Sequence, residues 1–411
     1  NITQIDITCT ASGTDSYGPG KFSTTTGQYS YKGTLGTWIG NNTSVIFSAS
    51  SQVRITKIVV TINNSPIVST PGSTSTPSTS TSTPSVAPQD KGYMAPNEYN
   101  YQSGFANYKD LLKYNRYGSD GAPSTGNVTC LVIPVEFTDG AFPSNTLTDL
   151  EKCFNGTESD TGWESVSSFY KESSFDKLNI EADVLDYWIT IDKTVKEVAN
   201  LSYNDYDDPS IYVLEYVYKY LENKIDLKEY DNNSDGFVDG VWLVYGNHSY
   251  SNYPLESDNI ESLLWAYTYW DTYTKSNVNK PTFNVYCWGS YDFMYEGVNA
   301  TSGIKLDAHT LIHETGHMLG LDDYYDYDST KNPTGCLDMM DYNIGDHNSY
   351  SKWMLGWVEP NVYDYNEGVI DIDSFSDTGE FIVIPSDNKV NYSPLSEYLL
   401  IELFLMQYFI L

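Results

Sequence analysis

Basic residues are scarce in this chain. Its 411 residues hold 22 Lys and Arg against 55 Asp and Glu, a formal net charge of −33. Such a surface repels phosphate backbones and anionic lipid, which argues against nucleic-acid or membrane-surface binding. Long apolar runs are lacking too. No stretch of 18 apolar residues occurs, and the nearest approach, 398–411, is short and carries Glu402, so no membrane span is expected. Cysteine is sparse. Cys9, Cys130, Cys153, Cys287 and Cys336 contain no C-x-x-C pair, which argues against a cysteine-held zinc site and leaves one or two disulfides open. Neither an initiator methionine nor a signal peptide is present. A start at Asn1 is expected where a leader has been removed, and an acidic surface suits a secreted or cell-surface protein.

What is present is enough for two or three domains, since hydrophobic residues make up 40% of the chain. Residues 1–66 alternate apolar and polar side chains between glycines, as in Ile55-Thr56-Lys57-Ile58-Val59-Val60-Thr61-Ile62. That pattern predicts a small all-β sandwich module. It suits a spacer or a surface-presentation module, or one that stacks exposed aromatics on glycans at a cell surface. Residues 67–90 are Ser/Thr/Pro-rich and read as an extended linker.

Residues 91–360 read as an α+β domain with a mixed twisted sheet. The apolar run 128–137 predicts a buried central strand, and 178–191, 240–245, 263–270 and 282–288 predict further strands. Helical spacing appears at 146–154, 162–172, 209–221 and 307–319, with Asp307 or a neighbour as the last helix's N-cap. Residues 361–411 read as the start of a C-terminal β element that ends in an apolar tail without an evident partner, as in a truncated product.

Two stretches carry chemistry. Asp231, Asn233, Asp235 and Asp239 fall at positions one, three, five and nine of a loop with Gly236 at six. That is the spacing of an EF-hand-type calcium loop. Trp242 stands where the bidentate Glu belongs, so a calcium-stabilised turn is expected and not an EF-hand. The second stretch is His313-Glu314-Thr315-Gly316-His317, extended through Gly320 to Asp323, and it organises the rest. Two histidines four apart share one helix face. They suit one zinc ion, with Glu314 as the general base for a zinc-activated water. Gly320 permits a sharp turn after the helix, and Asp323 is then placed to return as third ligand. Asp322 is out of register by one. His309 lies one turn before His313 and reads as a cleft or supporting residue, and His347 as a structural hydrogen-bonder.

The run H-E-T-G-H-M-L-G-L-D-D resembles the metzincin arrangement H-E-x-x-H-x-x-G-x-x-H, with Asp in the last position. Downstream, Cys336-Leu337-Asp338-Met339-Met340-Asp341-Tyr342 resembles the methionine turn of that group. Met340 would be its methionine and Tyr342 a tyrosine that steadies the oxyanion. More specifically, V-I-P-V-E-F-T-D at 132–139, S-V-S-S-F-Y-K-E-S-S-F-D-K-L-N-I at 165–180, the Asp231 loop, the zinc motif and H-N-S-Y-S-K-W-M-L-G-W at 347–357 resemble the immune inhibitor A family of secreted bacterial zinc metallopeptidases. The resemblance covers about 91–402. It implies a metzincin-like catalytic domain, zinc on His313, His317 and Asp323, Glu314 as base, calcium sites, and proteolysis of extracellular protein or peptide substrates. Residues 1–88 do not resemble the family's inhibitory propeptide. The rival reading is a surface adhesin or glycan-binding protein with a degenerate peptidase domain, although no motif residue is missing.

Overall fold

The computed structural model describes residues 2–15, 17–42, 45–50, 53–62, 93–94, 121–201, 206, 208–252, 258–271, 274–296, 306–325, 334, 337–363, 370–385 and 398–403. The expected linker at 67–90, Cys336 and the tail 404–411 lie outside them. The chain divides into two units, one from the described residues of Asn1–Ser103 and Glu359–Met406, the other from those of Gly104–Val358. Among the described residues no helix is long and apolar enough to cross a membrane.

The first unit opens with β1 (Ile2–Cys9), β2 (Phe22–Thr24), β3 (Gln28–Lys32), β4 (Leu35–Asn42), β5 (Phe47–Ala49), β6 (Ile55–Ile62) and β7 (Tyr93–Met94). An antiparallel sheet runs β3-β4-β1-β6, and β2 pairs with β5. Alternation turns Ile5, Ile7 and Cys9 of β1 inward, and fully buried Trp38 of β4 sits opposite Ile5 in register.

The second unit holds β8 (Gly126–Glu136), β9 (Leu178–Val184), β10 (Ile189–Thr190), β11 (Gly240–Tyr245), β12 (Tyr267–Trp270) and β13 (Val285–Ser290). They form a mixed six-stranded sheet ordered β10-β8-β11-β13-β12, with β9 also on β8. Every pairing is parallel except β12 with β13, so the edge strand β12 runs against its neighbour. Strands β8, β11 and β13 are nearly continuous apolar runs because both faces are covered. Cys130, Val132, Trp242, Val244, Val285 and Cys287 face one core, and Leu131, Ile133, Leu243, Tyr245, Tyr286 and Trp288 face the other.

On the first face lie α1 (Thr146–Asn155), α2 (Val166–Ser173) and the helix expected to carry the metal motif. Helix α2 starts later than the sequence spacing suggests. Ser165 accepts from the Ser168 amide, and Ser168 reciprocates at the Ser165 amide, a capping box that fixes the start. The opposite face is covered by α3 (Ser210–Leu221), with Ile211, Val213, Leu214, Val217 and Leu221 buried. The strand expected from 263 begins only at Tyr267. Asp258–Leu263 is helical instead, which buries Ile260 and Leu263 on one side.

The C-terminal strands β14 (Asn361–Tyr363), β15 (Phe381–Pro385) and β16 (Tyr398–Glu402) form a sheet ordered β16-β15-β14-β7. They belong to the first unit. Tyr363, Ile382 and Ile384 share one apolar core with Ile2, Ile5, Ile7 and Trp38, so the N-terminal strands are covered by the end of the chain. The whole is a multidomain α+β chain with several sheets, one of them mixed.

Candidate metal centre

Helix α4 (His309–Met318) is buried from Leu311 to Met318, although that stretch carries two histidines and a glutamate. Burying three such groups is costly unless each is satisfied. The backbone supplies the first partners. His313 Nδ1 donates to the Met339 carbonyl at 2.8 Å, and His317 Nδ1 donates to the Leu321 carbonyl at 2.7 Å. A carbonyl only accepts, so each Nδ1 must carry a proton, which fixes the tautomer and leaves each Nε2 as the ligating atom.

Those two Nε2 atoms converge on one oxygen. Asp323 Oδ1 lies 3.2 Å from His313 Nε2 and 3.1 Å from His317 Nε2. In a tetrahedral zinc site with ligands about 2.0–2.1 Å from the metal, neighbouring ligand atoms stand roughly 3.3 Å apart. Neutral imidazoles protonated at Nδ1 would set nitrogen lone pairs against carboxylate lone pairs at this spacing. The arrangement calls for a cation between them, either a proton or a metal ion. Burial alone would depress His317. The hydrogen bond to Asp323 and the Glu314 and Asp323 charges outweigh it and hold the metal-free imidazole up to about 9. His313, Glu314 and His317 offer ligand atoms within 4.8 Å of one another and could hold a metal ion. Asp323 Oδ1, within 3.2 Å of both Nε2 atoms, lies where a further donor could join them.

The turn that brings Asp323 back is local. Gly320 takes φ 104°, a conformation that favours glycine, and its amide caps the His317 carbonyl. The Leu321 amide bonds the Gly316 carbonyl, and the Leu321 carbonyl then holds His317. One glycine turn thus brings Asp323 back to the histidines and places the carbonyl that orients His317.

Glu314 is held from the sheet. Thr268 Oγ1 on β12 lies 3.0 Å from Glu314 Oε2 and 3.0 Å from the Glu314 carbonyl. Cys287 Sγ on β13 lies 3.2 Å from the same carbonyl. Burial raises the Glu314 carboxyl, and the His317 and His313 charges oppose it. The next residue is fastened as well: Trp242 Nε1 donates to Thr315 Oγ1 at 3.1 Å. Tyr170 Oη donates to the Ile312 carbonyl at 2.6 Å.

Beneath the helix runs the short α5 (Met339–Tyr342), with Asp338 as N-cap accepting from the Met340 amide at 2.8 Å. Met339, whose carbonyl orients His313, and Met340 are fully buried. Tyr342 is 54% exposed at the end of this helix. The Tyr325 ring stacks at 6.5 Å on His313.

His309 and His347 take other partners. His309 Nδ1 bonds Asp307 Oδ1 at 2.5 Å, and its ring stacks on Trp163 at 4.5 Å. Asp307 does not cap α4 as a side-chain N-cap; Ala308 holds that position, while Asp307 Oδ1 accepts from the His309 amide. His347 is fully buried among Phe169, Tyr170 and Trp357, and neither ring nitrogen has a hydrogen-bond partner among the described residues. The expected structural hydrogen bond is therefore not found, and aromatic packing holds the ring. Cys9, Cys130, Cys153 and Cys287 are free and buried.

In the acidic loop, backbone amides take up several oxygens. Asp231 accepts from the Asp235 and Gly236 amides at 3.0 and 3.1 Å, and Asn233 Oδ1 accepts from the Asp235 amide at 2.8 Å. Asp235 Oδ1 accepts from the Phe237 amide at 2.9 Å. Asp239 is fully buried. Its Oδ2 accepts from the Asn232 and Asn233 amides, and its Oδ1 has no hydrogen-bond partner among the described residues. Burial pushes the Asp239 carboxyl up to about 7.

Thr268, Cys287 and Trp242 lie in no motif, Tyr170 lies in the 165–180 stretch without a role assigned to it, and all four stand 27 to 142 residues before the residues they hold. Only the alternation of their strands and helices hinted that they face inward. No family model matches the chain, and no curated protein matches it.

Proposed function

We propose that the chain is a zinc-dependent endopeptidase acting on extracellular proteins or peptides, secreted or held at a bacterial cell surface, with a metzincin-like catalytic domain of the immune inhibitor A type. The observation that carries the reading is the convergence of His313 Nε2, His317 Nε2 and Asp323 Oδ1 beside a buried Glu314 carboxyl. A lone buried His–Asp–His cluster could be structural. The glutamate next to the first histidine, facing the same space, is what a hydrolase needs and a structural site does not.

His313, His317 and Asp323 would hold the zinc. When bound there, zinc supplies a Lewis acid that brings a water's pKa to about 7 and polarises a carbonyl. Glu314 takes the proton of the attacking water and delivers it to the departing amine. The Met339 and Leu321 carbonyls keep the imidazoles in register while charge develops. The Asp231 loop is assigned to calcium on its donor spacing and on the unpartnered, buried Asp239 Oδ1.

The decisive experiment measures zinc per chain by elemental analysis alongside casein hydrolysis, with and without a zinc chelator. One zinc and chelator-sensitive, zinc-restored cleavage are expected. A chain that binds zinc yet cleaves neither casein nor a peptide library would instead favour the adhesin reading.

A further inference from the structure

Thr268 and Cys287 are register partners on the antiparallel strands β12 and β13, so their side chains leave the same face of the sheet. Both reach one residue of α4. The Thr268 hydroxyl lies 3.0 Å from Glu314 Oε2, and the Cys287 thiol lies 3.2 Å from both the Glu314 carbonyl and Thr268 Oγ1. Thr268 is 4% exposed and Cys287 is fully buried, so water does not compete for these contacts.

We infer that Thr268 is a positioning residue for Glu314, its hydroxyl donating to Oε2 and thereby setting which way the carboxylate faces. The inference rests on the proposed peptidase reading. A hydroxyl has one proton to give. The Cys287 thiol donates to the Glu314 carbonyl, which frees the Thr268 proton for the carboxylate. Burial raises the Cys287 thiol well above its ordinary range, so it stays a donor. With Oε2 tied to the sheet, Oε1 remains for the proton in transit. The carboxylate's other rotamers would sacrifice a buried hydrogen bond. Strand β12 therefore acts on the base through a side chain, independently of what its backbone edge meets.

The test uses Thr268→Val, Thr268→Ala and Thr268→Ser in the full chain, read in two ways. With zinc bound, Thr268→Val and Thr268→Ala are expected to keep one zinc per chain and a KM close to the parent. Their kcat should fall about 10- to 100-fold, as for a misplaced catalytic group. Thr268→Ser restores most of the loss. In the metal-free protein, urea unfolding of Thr268→Val, Glu314→Ala and the double variant forms a cycle. The midpoint shift caused by Thr268→Val should at least halve in the Glu314→Ala background. An unchanged kcat in both apolar variants, or equal shifts in the two backgrounds, overturns the inference. Should the parent show no hydrolysis, the peptidase reading fails, and the unfolding cycle still decides the Thr268–Glu314 bond by itself.

Discussion

A Cβ on Gly316 would stand 2.5 Å from the sulfur of Met340. The glycine just before His317 is therefore a packing requirement, imposed by a residue 24 positions later. Met340 is fully buried and flanked by Met339, whose carbonyl orients His313, so it has little room to move. Gly316→Ala is expected to destabilise the fold by about 1–3 kcal/mol through overpacking. It should also weaken zinc binding by tilting His313 off the Met339 carbonyl. Urea midpoints and zinc competition titrations measure both. A variant as stable as the parent would mean that Met340 repacks freely.

Replacing the base and replacing a ligand should give opposite signatures. Glu314→Gln is expected to retain one zinc per chain and lose about 10²–10⁴-fold in kcat, the usual span for a lost general base. Asp323→Ala should lower zinc affinity by more than about 100-fold, beyond what loss of an outer support costs. Asp322→Ala, one residue out of register, should leave zinc stoichiometry intact. Full activity in Glu314→Gln, or unchanged affinity in Asp323→Ala, refutes the corresponding role.

The metal-free protein should lose stability as pH rises. His317 is raised from its ordinary 6.5 to about 9, so the folded state binds its proton more tightly than the unfolded state. The resulting stabilisation is complete below 6.5 and is lost as pH climbs through about 9. Unfolding midpoints in the presence of a chelator, taken from pH 6 to 10, should fall across that window. In Asp323→Asn the fall should shrink, because the carboxylate partner is gone. A midpoint that rises across the window would contradict the sign.

For the Asp231 loop the sign is the same, in a lower pH window. A buried Asp239 carboxyl raised to about 7 makes the metal-free fold less stable as pH rises from about 4 to 7, since the folded state prefers the proton. Calcium bound at the Asp239 carboxylate would remove that penalty. At a calcium concentration about 100 times its Kd, stability should increase by about 2.7 kcal/mol. Asp239→Asn should abolish the calcium response while leaving the metal-free protein at least as stable as the parent at pH 8. Thermal melts with calcium and with a calcium chelator test both. A calcium-independent melting temperature in the parent would remove the assignment.

Whatever depends on short spacing was legible in the residues alone. Two histidines four apart on an apolar helix, a glutamate beside the first, and a glycine turn returning Asp323 are all written within eleven residues, and helix geometry converts that order into convergent atoms. The buried strands β8 and β11 were legible for the same reason, since a continuous apolar run has few other destinations. The tertiary structure alone decided what meets these elements. Nothing near His313 announces that the Met339 carbonyl holds its ring, or that Thr268 and Cys287 reach Glu314, because strand pairing between distant segments sets those contacts. The same holds for Ile382 and Ile384, which share a core with Ile2 and Trp38 from the far end of the chain. Periodicity tells a side chain which face to take; only the packed sheet tells it which partner waits there.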